Sequence, residues 1–445
     1  MQLNTNALDI QSNIETQGNL NISASSVTNN AEVIAGQDLS LSAESLSNSG
    51  TLTASGDTTV SLTNNFTHNS SGTISGQNVS LSAMQFENLG TLQALDNLGL
   101  SVNSIVNKGG LIALGDLTTT VASDINNQGL IYAGNNANLY SNTLHNTSDI
   151  VVGHDLLIAK NVAKHQNNSV TNSSGTIESL GGNIDIYTHT LTNKRTTLEV
   201  ENTTAEDKRA QYTGVYNTKG TEHEPKVYQS QTCRDSGNDA SSGKHCTTHY
   251  NIEPSYRDFT VIALKEGSRL KSASFTGRII AKKDLTIGAG TVLNDASQIA
   301  GNKVTITANT LTNRGYQLDE YTTYFDYTLN DSWGPDYLPY TRTASRRVKT
   351  GVSGQINSSI TASNKLTLNV VNTVNNSTLK ANATAVKSTT SAAQVQATSS
   401  ASVANPTITF ANINDIAFPE FTLPSAPNGL FILSPDPKGK YFIET

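Results

Sequence analysis

Cys233 and Cys246 are the only two cysteines in this chain of 445 residues. They lie thirteen residues apart in a polar stretch, 232–247. Such a pair has three kinds of chemistry open to it. It can close a disulfide, which for so short a loop stabilises by about 3 kcal/mol in the chain-entropy model. It can join His223, His245 and His249 in a metal site, although His245 and Cys246 are adjacent and no paired C-x-x-C and H-x-x-x-H framework surrounds them. Or both thiols stay free.

The residues around the cysteines suit contact rather than catalysis. Tyr212, Tyr216, Tyr228, Tyr250 and Tyr256 fall on either side of them within 194–283, and tyrosine and arginine are enriched at binding hot spots. The same tyrosines are also what a small core would need. Arg234, Lys244 and Arg257 can meet phosphate or carboxylate groups, or simply form a solvated face. A second aromatic group, with Tyr324, Trp333 and Tyr337, lies further on. There Tyr321, Thr323 and Phe325 alternate with Thr322, Tyr324 and Asp326, a strand with aromatics on both faces. That pattern suits a packed hairpin, with carbohydrate stacking by Trp333 and Tyr337 as the alternative.

Catalysis finds little support. Asp38, Asp57, Asp96, Asp116 and Asp155 recur at similar spacing, but no Asp-x-Asp pair or basic partner joins them. A polysaccharide-degrading site would need clustered carboxylates or a calcium site. No catalytic residue, cofactor or metal is assigned. The net charge of −7 argues against a nucleic-acid partner. No run approaches eighteen apolar residues, so no segment is expected to span a membrane as a helix.

Most of these residues interrupt a regular frame. A Gly-polar-polar-apolar-polar-apolar phrase recurs at Gly18, Gly36, Gly76 and Gly153, with variants at Gly56, Gly115, Gly134 and Gly182. A short fixed period excludes most globular folds. Within the unit, Leu39, Leu41 and Ala43 alternate with Ser40 and Ser42, the period of a half-buried strand. A twenty-residue unit cannot bury its apolar face alone, so units must stack. The expected fold is all-β, a right-handed parallel β-helix with coils of about 20 residues, each adding about 4.8 Å of axis. Asn48, Asn88, Asn107, Asn127 and Asn146 recur at one coil or two. They are expected to stack as a hydrogen-bonded amide ladder, at corners where Asn tolerates a left-handed backbone.

Two stretches break the period. Residues 1–193 hold three Lys/Arg and fourteen Asp/Glu, whereas 194–283 hold fifteen and eleven. The phrase resumes at Asp284-Leu285-Thr286-Ile287, so 194–280 reads as an insertion carried on the rod, where binding faces are often built. The second break, 315–345, packs eight aromatics into its length. Residues 380–404 read as linker or weak edge strand, and six prolines between Pro406 and Pro437 exclude regular helix or central strand there. The chain opens in mid-repeat, as expected of a fragment of something longer.

The phrase Gly36-Gln37-Asp38-Leu39-Ser40-Leu41, followed by Asn48-Ser49-Gly50-Thr51-Leu52, resembles the repeats of the filamentous haemagglutinin family. These are large bacterial exoproteins of the two-partner route. The run Leu423-Pro424-Ser425-Ala426-Pro427-Asn428-Gly429-Leu430-Phe431, with Tyr441-Phe442-Ile443-Glu444-Thr445, is similar to a segment of its CdiA subgroup, the contact-dependent growth inhibition effectors. The resemblance implies 1–193 as filament, 194–314 as receptor-binding region and 315–445 as a Tyr/Pro-rich part, with a toxin beyond. It implies a secreted, cell-surface protein whose C-terminal part is held in the periplasm before contact. The partners implied are a two-partner outer-membrane transporter and an outer-membrane protein or lipopolysaccharide of neighbouring bacteria. In an exported protein, nearby cysteines most often pair as a disulfide. The expected function is therefore receptor binding on a rod. A purely structural filament and a β-helix polysaccharide-degrading enzyme are the rivals.

Overall fold

The computed structural model describes residues 1–235, 243–253, 257–330 and 339–381. The side chains of Tyr250, Pro339, Lys380 and Ala381 are not described. The 380–404 linker call, for all but its first two residues, and the Pro-rich and CdiA-like runs after it lie outside these residues. Every regular element within them is a strand.

The repeat winds into a parallel β-solenoid. Leu20 pairs with Leu39, Leu39 with Thr58, Thr58 with Val79 and Val79 with Leu98, each one coil on. The same column runs through Leu117, Ala137, Leu156 and Ile184. Alternation decides what is buried: Leu39 and Leu41 are at most 1% exposed, whereas Ser40 and Ser42 between them are not buried. Stacking makes these columns one continuous core, which no single coil could form.

The amide ladder is present and longer than the spacing indicated. Asn29 donates through Nδ2 to Asn48 Oδ1 at 2.8 Å, and Asn88, Asn107, Asn127, Asn146 and Asn172 continue it with the same geometry. Most of these amides also reach a backbone carbonyl on the next coil, as Asn107 does to Leu130 at 3.0 Å. Both N–H groups of a fully buried amide are thereby satisfied, which is what burial demands. The two-coil gap between Asn48 and Asn88 holds His68, which takes the rung.

The ladder asparagines are not left-handed, contrary to expectation, although Ser174 and Ala296 are, two residues after Asn172 and Asn294. Lys164, Ser174 and Ala296 are the non-glycine residues with positive φ among those described, and no ladder Asn is one of them. Glycine is needed at the corners for closeness instead. A Cβ on Gly109 would stand 2.0 Å from the Gly90 carbonyl oxygen of the preceding coil.

The two breaks leave from one corner of the rod. The first departs after Lys194 and returns at Arg278, and the coil resumes in register: Ile177 pairs with Ile279 and Ile184 with Leu285. The second departs after Arg314 and returns at Ser359, again in register, with Val304 paired to Leu366. Removing the first would leave Asn193-Lys194-Gly277-Arg278, the same spacing as the uninterrupted corner Asn107-Lys108-Gly109-Gly110.

Outside the rod, the breaks form a single antiparallel sheet. Leu198–Asp207 pairs with Asp258–Ala273, which pairs with the outer part of Gln298–Leu329, which pairs with Pro339–Ile356. Val215–Asn217 adds a short strand beyond the last of these. The four long strands leave from or return to four successive coils. Coil rise and strand spacing are both about 4.8 Å, so the sheet grows from the rod without a change of spacing. The sequence reading kept 194–314 and 315–445 apart, whereas strand pairing joins their outer parts into this one stalk.

Candidate recognition site on the stalk

Charge is segregated across the stalk strands. Leu198–Asp207 carries Glu199, Glu201, Glu206 and Asp207 and no cation, whereas Pro339–Ile356 carries Arg342, Arg346, Arg347 and Lys349 and no acid. Ion pairs cross both outer seams: Glu201–Arg269 at 2.5 Å, Glu206–Lys265 at 3.1 Å, Arg346–Asp326 at 2.7 Å and Lys349–Asp319 at 2.6 Å. Arg347 passes over the middle strand to Glu266 at 2.6 Å and lies 3.5 Å from the Tyr321 ring centre. Individually such exposed pairs contribute little, but a wrong register would set like charges opposite one another. The Arg346 guanidinium, helped by Thr260, holds the Asp326 carboxyl down at about 2.

The root is clamped. Arg195 donates from Nε to the Ala296 carbonyl at 3.1 Å and from Nη2 to Thr276 Oγ1 at 2.5 Å, and also bonds the Ser274 carbonyl. Burial pulls its pKa below the usual guanidinium value. Arg314, paired with Asp295, holds the second departure point.

The far end has its own small core, made among stalk residues rather than with the rod. Phe259 stacks on Tyr327 at 5.3 Å and on His223 at 4.8 Å, and meets Tyr340 edge-on at 4.8 Å. Tyr327 and Tyr340 are at most 1% exposed. Burial pushes Tyr340 up to about 12, and raises Tyr216 and Tyr327. Tyr212 and Tyr216, offered above as contact candidates, are half-buried here, with their rings 5.4 Å apart.

From this end a separate two-stranded hairpin projects, Val227–Asp235 against Lys244–Ile252. Ile252 ties its base to the aromatic core. Nearly every described side chain along it is exposed, Tyr228 at 58%. A two-stranded ribbon with both faces in water is marginal on its own. Here Cys233 and Cys246 lie directly opposite each other, Cα atoms 4.0 Å apart, and are disulfide-bonded.

Alternation sorts the hairpin into two faces. One carries the disulfide, Asp235 opposite Lys244, and Gln231 bonded to Thr248 at 3.3 Å. The other sets Arg234 opposite His245, Thr232 opposite Thr247, Ser230 opposite His249 and Tyr228 opposite Asn251. Among the described residues this second face has no carboxylate. It offers a guanidinium, two imidazoles, hydroxyls and one aromatic ring, a set of donors for anionic or polar partner groups.

Of the residues singled out by sequence, Tyr228 and Arg234 share that face, while Lys244 lies on the disulfide face. Arg257 is exposed at the edge of the aromatic end, where its carbonyl accepts from the Leu329 N–H at 2.8 Å. Tyr324 is half-buried beneath Arg346, 5.6 Å from its ring centre. Tyr256, Trp333, Tyr337 and the Tyr250 side chain lie outside the described residues. Strand alternation from Val227 would have placed His245 and His249 beside Arg234; the sequence reading grouped them with the cysteines instead. Among the described residues no three His, Cys, Asp or Glu side chains gather around a metal position.

The described strands thus form a parallel solenoid that suspends its repeat to raise one stalk. The chain is 25% identical over 337 residues to the tRNA nuclease CdiA of Yersinia mollaretii, a match taking in 65% of this chain. The matched stretch spans 11% of that relative's length. No family model matches the chain, and no solved structure matches it significantly. The match and the solenoid together fit a CdiA-like filamentous haemagglutinin fragment.

Proposed function

We propose that this chain is a non-enzymatic, receptor-binding segment of a CdiA-like exoprotein, secreted through a two-partner transporter and displayed at the cell surface. The rod gives reach. The stalk and its hairpin give specificity, toward an outer-membrane protein or lipopolysaccharide on neighbouring bacteria. The observation that carries this reading is the stapled hairpin, a ribbon exposed on both faces at the end of a clamped stalk. A rod that served only as filament would gain nothing from ordering it, since ordering each residue costs about 1–2 kcal/mol of backbone entropy.

The donor-rich hairpin face supports contact with phosphate or carboxylate groups on such a surface. The test is retention of the purified chain on outer membranes of candidate neighbours. Deleting 227–252 at the hairpin base should abolish retention while leaving the rod folded. Equal retention without the hairpin would remove recognition from this site.

A further inference from the structure

Along the whole ladder, one rung is not an amide. His68 is 0% exposed and takes the place that Asn holds on the coils to either side. Asn48 Nδ2 lies 3.2 Å from His68 Nε2, and His68 Nδ1 lies 3.0 Å from Asn88 Oδ1. The direction of the ladder fixes the roles. Every Asn donates toward the next coil, so Nε2 must accept and Nδ1 must carry the proton. A second proton would put an N–H on Nε2, facing the N–H donors of Asn48. It would also bury a cation. His68 meets Asn48, Asn88, the Phe66 ring at 5.7 Å, and the corners at Gly72 and Gly90. None of these is charged. Glu87, next to Asn88, is partly exposed and pairs with Lys108 at 2.7 Å.

The neighbours of the His68 coil run as unbroken ten-residue strands, Leu39–Asn48 and Val79–Asn88, whereas it is split into Thr58–Leu62 and Phe66–His68. The split of this coil's long strand recurs at Leu117–Val121 with Asp124–Asn127 and at Ala137–Tyr140 with Thr143–Asn146, so what sets the coil apart is its imidazole rung. A solenoid is held together coil by coil, so it can open locally where one interface is weak.

We infer that the coil 58–76 is an acid-sensitive joint in the rod, which opens on protonation of the His68 rung while the stalk-bearing coils stay closed. Burial keeps His68 at about 4 in the folded coil, against 6.5 when the coil is open. The open coil therefore binds a proton that the closed one refuses. The stabilisation is complete above pH 6.5 and is lost as pH falls toward 4.

The experiment is hydrogen exchange of the full chain from pH 7.5 to 4, corrected for intrinsic rates. Amides of 58–76 should lose protection roughly tenfold per pH unit below 6.5. Those of Leu130–Ala133 and Leu285–Ile287 should not follow. His68→Asn, which restores the amide of the other rungs, should flatten the dependence. The same slope in that variant, or an equal slope in every coil, would overturn the joint. A second readout is independent of the variant's folding. Nitrogen resonances of the labelled histidine ring should show the Nδ1-protonated neutral form persisting below pH 6, and titration near 6.5 would equally overturn it.

Discussion

The side-chain amide of Asn193 donates a 2.8 Å hydrogen bond to Asn294, 101 residues further along the chain. Between them lies the whole first excursion of the stalk, and the ladder crosses it as though the residues were consecutive. Asn294 then donates to Asn313, and Asn313 to Asn376 across the second excursion, each at 2.8 Å. The rod is one uninterrupted object from which the stalk has been drawn out.

The ladder should therefore cost the same to break where it bridges the stalk as within the uninterrupted coils. Asn107→Ala and Asn193→Ala each leave a buried donor on the preceding rung and a buried acceptor on the next without partners. At about 1–3 kcal/mol per orphaned group, each variant should lose roughly 2–6 kcal/mol of unfolding free energy. Urea titration of the rod measures it. A loss at Asn107 with none at Asn193 would mean that the coils beyond the stalk stack independently.

The disulfide should matter locally and not globally. Cys233→Ser with Cys246→Ser should speed amide exchange along Val227–Asp235 and Lys244–Ile252. In the chain-entropy model the hairpin loses about 3 kcal/mol. The thermal transition of the rod should stay where it is, because Val227–Asp235 and Lys244–Ile252 pair only with each other among the described strands. A shift of the main transition would show that the hairpin braces the rod.

Arg195→Ala should loosen the root of the stalk without unfolding its tip. Its guanidinium joins residues of the departing and returning chain and the next corner. Spin labels on Asn19 of the rod and Thr260 of the stalk should give a broadened distance distribution in the variant. The near-ultraviolet signal of the Phe259, Tyr327 and Tyr340 cluster should be retained. An unchanged distribution would assign stalk orientation to the strand pairing alone.

Acid should release the stalk seam at Asp326. Its carboxyl is held at about 2 by Arg346, against 3.8 in the unfolded chain. A depressed acid contributes stability that is whole above 3.8 and is lost as pH falls toward 2. Exchange of Tyr324–Tyr327 amides should rise across that window, and Asp326→Asn should remove the dependence. An unaltered slope in the variant would assign it to Asp319.

The fold was legible because burial writes itself into a period. Leu39, Leu41 and Ala43 declared a strand, and repetition declared a stack. His68 was not legible as a rung, because only stacking shows that its position is the one Asn holds elsewhere. The stalk was legible as two breaks but not as one sheet. The pairing of Leu198–Asp207 with Asp258–Ala273, and of that strand with Gln298–Leu329, is antiparallel and non-local, with no repeat to betray its register. Tyr212 and Tyr216 show the limit of residue type as a guide: a tyrosine that anchors a partner and one that fills a small core look alike until a neighbour such as Phe259 is placed.

The central claim, that the interruption of the repeat carries recognition, is tested most directly with a stalkless rod. Joining Lys194 to Gly277 and Arg314 to Ser358 removes both excursions and restores corners of the ordinary spacing. The measurement is retention on outer membranes of a susceptible neighbour, beside a urea titration confirming that the rod is folded. The account predicts a folded rod that is no longer retained. A folded stalkless rod retained as well as the full chain would contradict it.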